Sequence, residues 1–84
     1  MKEMSSPIIT IDLHGLFRDE AIKTIDKALK KADITTYQIK LIHGYNRETS
    51  LKNMIMDKYR YHPKVVRIQP GDNLGTTILV LREL

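Results

Sequence analysis

Ile8-Ile9-Thr10-Ile11-Asp12-Leu13-His14-Gly15 is the stretch on which the reading of this chain turns. Its β-branched residues, and the alternation of Ile9, Ile11 and Leu13 with Thr10, Asp12 and His14, predict a strand with one apolar and one polar face, stopped by Gly15. From Arg18 to about Ala32 the apolar residues Ala21, Ile22, Ile25, Ala28, Leu29 and Ala32 recur at helical spacing, and Asp19 and Glu20 suit the positive start of a helix. The pattern then repeats. Tyr37 to His43 predicts a second strand, with Tyr37, Ile39 and Leu41 opposite Gln38 and Lys40, and a glycine, Gly44, again ends it. After a polar loop, with Thr49 or Ser50 as N-cap, Leu51, Met54, Ile55 and Tyr59 form the apolar stripe of a second helix that must finish before Pro63. Val65 to Gln69 and Thr76 to Leu81 predict two further strands around a turn rich in Gly, Asp and Asn.

The order βαβαββ predicts an α/β two-layer sandwich, a four-stranded mixed sheet with two helices on one face. Right-handed crossovers make strands 1, 2 and 3 parallel, and the tight turn sends strand 4 back. With 84 residues there is room for one modest core, so residues 1–7 read as a tail and 8–84 as a single domain. The content of 42% hydrophobic and 29% charged residues excludes a disordered or fibrous chain. Without cysteine there is no disulfide framework, thiolate metal site or cysteine nucleophile. The longest purely apolar run, Ile78 to Leu81, is far too short to cross a bilayer, and a cytoplasmic protein without a membrane partner is expected.

In open α/β sheets ligands bind beyond the carboxyl ends of the strands, which here carry Asp12-Leu13-His14-Gly15 and His43-Gly44-Tyr45-Asn46. The turn carrying Gly75 and Thr76 emerges at the same edge, and both helices begin there, where free N–H groups favour an anion. Asp12 and His14 share a strand face, so the imidazole can move a proton while the carboxylate orients it, activates water or helps hold a divalent cation such as magnesium or manganese. The same two residues could equally cap the turn. No zinc site is specified. Residues 37–67 carry seven Lys or Arg against two Asp or Glu, whereas residues 1–36 balance at six each. Lys40, Arg47, Lys52, Lys58, Arg60, Lys64 and Arg67 are therefore a candidate phosphate-binding face, with a plain solvated surface as the alternative. There is no Walker A loop, GxGxxG run, His-Glu-x-x-His or GxSxG.

Three of these segments carry a family likeness. Ile11 to Leu16 followed by Glu20-Ala21 resembles the LDLHG segment that opens the Smr (small MutS-related) domain, found on the MutS2 branch of the MutS proteins. Leu41-Ile42-His43-Gly44 resembles its IHGxG segment, and Gly75 to Leu81 its closing GxTxV strand. The resemblance runs from Ile8 to Leu81 and implies a βαβαββ fold similar to the C-terminal domain of translation initiation factor three. It also implies nucleic-acid binding and a nicking or RNA-cleaving endonuclease activity linked to Asp12 and His14, with His43 and Gly44 linked to binding. Tyr45, Asn46, Arg47, Lys52, Gly75 and Thr76 complete the expected interface. Two positions depart from the family: Asn46 stands where a second glycine is usual, and Phe17 where a Ser or Thr helix cap is expected. Two other readings stay open, a non-catalytic module for branched DNA or structured RNA, including the ribosome, and a protein-interaction adaptor.

Overall fold

The computed structural model describes residues 7–44 and 49–83. Within them the elements follow in the order β1 (Ile8–Asp12), α1 (Arg18–Lys31), β2 (Gln38–Ile42), α2 (Thr49–Tyr59), β3 (Arg67–Pro70) and β4 (Thr76–Val80). The sheet order is β1-β2-β4-β3, with β1 parallel to β2 and β4 antiparallel to both β2 and β3. Strands 1, 2 and 3 thus run the same way, as the two crossovers require.

Register decides which face the helices cover. Ile9 pairs with Ile39 and Ile39 with Leu79, while Ile11 pairs with Leu41, so these residues share one face. Ile39, Leu41 and Leu79 are fully buried, in one cluster with Ala21, Ile25 and Leu29 of α1 and Leu51, Met54, Ile55 and Tyr59 of α2. Both helices pack there. Among the described residues the reverse face, with Thr10, Lys40, Ile78 and Gln69 in one row, carries no helix. Ile9 and Ile11 are only half-buried, because β1 is an edge strand.

The boundaries of β1, β3 and α2 differ from the sequence reading. β1 stops at Asp12 because Leu13 to Leu16 form a turn, closed by the Leu16 N–H donating to the Leu13 carbonyl at 3.0 Å with Gly15 at φ +86°. A positive φ at the third residue is that of a type II turn. β3 begins at Arg67 because the Val65 N–H still donates to the His62 carbonyl at 3.0 Å. It then runs on through Pro70, which an edge strand tolerates. α2 begins at Thr49, so Thr49 and Ser50 lie inside the helix rather than ahead of it. At the β3–β4 turn, a Cβ on Gly71 would meet Thr76 Cγ2 at 2.5 Å, so the close approach of the chain requires glycine.

Phe17 precedes α1 and offers no side-chain acceptor, but Glu20 reaches back to accept the Phe17 N–H at 3.1 Å. Half of a capping box is therefore present. Phe17→Asp should supply the missing half and raise stability by about 1 kcal/mol, read from urea unfolding. Unchanged stability would mean that α1 frays regardless of its cap.

Candidate functional site

The turn after β1 brings Asp12 and His14 together. Asp12 Oδ1 accepts the His14 backbone N–H at 3.0 Å, and the imidazole Nδ1 lies 3.7 Å from the same oxygen. Their proximity comes from this turn and not, as the alternation suggested, from a shared strand face, since the strand has ended before His14. The side chains are 64% and 74% exposed, respectively, so a large substrate can reach both. Asp12 lies on the helix-free face, in line with Ile42 and Thr76. The pair sits where that face meets the carboxyl-end edge. The first turn of α1 adjoins it, and no side chain caps its N–H groups.

His43 occupies a different position from the one its sequence context suggests. Its side chain is 1% exposed, with Nδ1 2.8 Å from the Gly44 carbonyl and Nε2 2.8 Å from the Thr77 hydroxyl. A carbonyl can only accept, so Nδ1 carries a proton, and in the neutral ring Nε2 accepts from Thr77. Both nitrogens are committed. The expectation that this ring grips phosphate is therefore corrected: His43 holds β2 against β4 and offers no free ring nitrogen to a ligand. Gly44 follows at φ +84°, a left-handed conformation that costs an L side chain about 1–2 kcal/mol.

Gly75 and Thr76 are likewise buried. The Gly75 carbonyl accepts the N–H groups of His43 and Gly44 at 2.8 and 3.1 Å, which fixes the second motif to the start of β4. Asn73 Oδ1 in turn accepts the Gly75 N–H at 2.9 Å and the Thr76 hydroxyl at 3.1 Å. These residues brace the edge rather than face a ligand. Asn73 belongs to the turn that the sequence places at this edge, and an Asn two residues before a Gly-Thr pair is a turn signal. Tyr45, Asn46 and Arg47 lie outside the described residues. Lys52 is exposed in the first turn of α2, at this edge.

The other basic residues do not make one face. Lys40 pairs with Asp72 at 3.0 Å and Arg67 with Glu83, whereas Lys64 Nζ donates to the Leu29 carbonyl at 2.7 Å, near the far end of α1. Arg60 lies over the Tyr61 ring. Sequence proximity placed all of them together; the fold keeps only Lys58 and Lys64 on one groove.

The family model of the Smr domain matches residues 11–82. The chain belongs to the Smr domain family. It is 31% identical over 78 residues, 87% of its length, to Endonuclease MutS2 of Clostridium botulinum (strain 657 / Type Ba4), and spans 10% of that protein. The crystal structure of the Smr domain of Thermus thermophilus MutS2 is similar to it at a TM-score of 0.79 and 26% identity, covering 89% of this chain and 99% of that one. The match with the Thermus domain is therefore one of whole folds, and the Smr segments carried by β1, β2 and β4 meet at a single edge.

Among the described residues of this Smr domain, no three His, Cys, Asp or Glu side chains gather closely enough to hold a metal ion. Any divalent cation at the edge would rest on Asp12, water and substrate oxygens, a ligand set that suits magnesium. No helix among the described residues is long and apolar enough to cross a membrane.

Proposed function

We propose that this Smr domain binds DNA or RNA at the edge formed by the β1–α1 turn, Gly44 and the start of α2, and that it nicks phosphodiesters there. The observation that carries the reading is the exposed Asp12–His14 pair, 3.7 Å apart, beside the uncapped first turn of α1. A phosphate oxygen suits those backbone N–H groups. His14 takes the proton of the attacking water, the water oxygen bonds to phosphorus, and one P–O ester bond breaks, the leaving oxygen being protonated from solvent. Asp12 orients the imidazole. The MutS2 relative, named an endonuclease, lends the reading support from outside the chain.

A non-catalytic module is the second reading, and one observation favours it. Asp12 Oδ1 already accepts the His14 N–H, which is what a simple turn cap does. Such a module would use the same edge to hold branched DNA or structured RNA, ribosomal RNA included, without cutting it.

Incubation with supercoiled plasmid and with structured RNA, each with and without magnesium or manganese, separates the two. Nicked or shortened product is expected. Intact substrate that is nonetheless bound, with an affinity falling linearly on a log–log plot against salt, would leave the non-catalytic module standing. A shallow salt dependence would instead point to a protein partner.

A further inference from the structure

Charge in residues 1–36 cancels in sequence but not in space. Along α1 the acids Asp19 and Glu20 lie in the first turn, while Lys23, Lys27 and Lys30 follow on one side toward the far end. Lys58 of α2 and Lys64 face them across a groove of about 620 Å³ between the two helices. Among the described residues, Lys23, Lys27, Lys30 and Lys58 enter no ion pair with a carboxylate.

Among the described residues Asp26 is the one acid on the groove wall, and it is engaged: the Tyr59 hydroxyl donates to its Oδ1 at 2.7 Å. Burial, then that bond and the Asp26 charge, push the Tyr59 phenol well above its ordinary range, so it remains a neutral donor. Favourable interaction with the helix dipole accounts for Lys30 and Lys58, which lie in the last turns of their helices. It does not account for Lys23 and Lys27, which precede the last turn of α1. Lysines that line one open groove repel one another, and a polyanion relieves that repulsion.

We infer that this lysine groove is a second phosphodiester-binding site, which takes the backbone of the same nucleic acid that the Asp12–His14 edge engages. The inference rests on the proposed nucleic-acid binding at that edge. Distance supports it: α1 has 14 residues and so spans about 21 Å from the edge toward the groove end, the length of about six base pairs. A duplex or folded strand that leaves the edge along α1 passes Lys23, Lys27 and Lys30 in turn. The edge positions the scissile phosphate, and the groove adds sequence-independent affinity.

The test is the salt dependence of binding to a labelled 20-base-pair duplex, measured by fluorescence anisotropy on the full chain. Lys27→Ala with Lys58→Ala removes one charge from each wall and should lower the slope of log affinity against log salt by about 2. Lys31→Ala with Arg82→Ala removes the same charge outside the groove and should leave the slope within about 0.5 of wild type. Lys58 lies 5.9 Å from the Tyr59 ring, so Lys27→Gln with Lys58→Gln serves as a second version that keeps side-chain bulk over it. An unchanged slope in folded groove variants, or an equal drop in the control pair, would overturn the groove while leaving the edge site intact. A wild-type domain that shows no salt-dependent binding would overturn the proposed function and the groove with it.

Discussion

Replacing Asp12 or His14 with alanine should lower cleavage by a factor on the order of a hundred or more, and the double variant should be scarcely slower than either single one. The reason is geometric. One oxygen of Asp12 lies 3.7 Å from the His14 ring, so the carboxylate acts through the imidazole and its loss adds nothing once the imidazole is gone. Folding should survive, because both side chains are exposed and neither belongs to the core cluster. Asp12→Asn distinguishes the roles further: it retains an acceptor for the His14 N–H, so the turn stays closed while the charge is lost. Cleavage assays beside circular dichroism read the outcome, and undiminished cleavage by a folded double variant would end the catalytic assignment.

The second large effect is expected on stability and not on chemistry. His43→Ala empties a fully buried site and leaves the Thr77 hydroxyl without its partner, at a cost of about 2–4 kcal/mol. For a domain of this size that is a large share of a total of about 4–13 kcal/mol, and it should lower Tm by about 10 °C or more. Nucleic-acid affinity at a temperature where the variant is folded should fall much less. The opposite result, full stability with lost affinity, would restore His43 as a phosphate ligand. Urea unfolding and anisotropy titrations on one preparation supply both readings.

His43 also marks where the sequence stops being legible. The strand, glycine, helix pattern was enough for the element order, the parallel pairing of β1 with β2 and the face that carries Ile39 and Leu41, because periodicity records burial directly. It was enough too for the meeting of three segments at one edge. It could not separate the two histidines. Each stands before a glycine after a strand, yet His14 falls in a turn and is exposed, while His43 is carried inward against Thr77, a partner 34 residues away. Sequence proximity misled in the same way about charge. Lys23, Lys27 and Lys30 were hidden by nearby acids, whereas Lys40 and Arg67 were counted as free although Asp72 and Glu83 pair with them. Contacts of that range depend on register and helix rotation.

The most direct test of the central claim is amide-resolved NMR of the labelled domain titrated with a short duplex. Binding at the edge should shift the amides of Asp12 and of His14 to Arg18 first and most. These residues form the turn and the helix start that would face the phosphate. Leu13, whose N–H donates to the Ile42 carbonyl at 2.8 Å, and His43 and Gly44, whose N–H groups donate to the Gly75 carbonyl at 2.8 and 3.1 Å, should follow only through neighbouring shifts. Shifts confined to the helix-free face around Thr10, Lys40, Ile78 and Gln69, with the β1–α1 turn unmoved, would contradict the account.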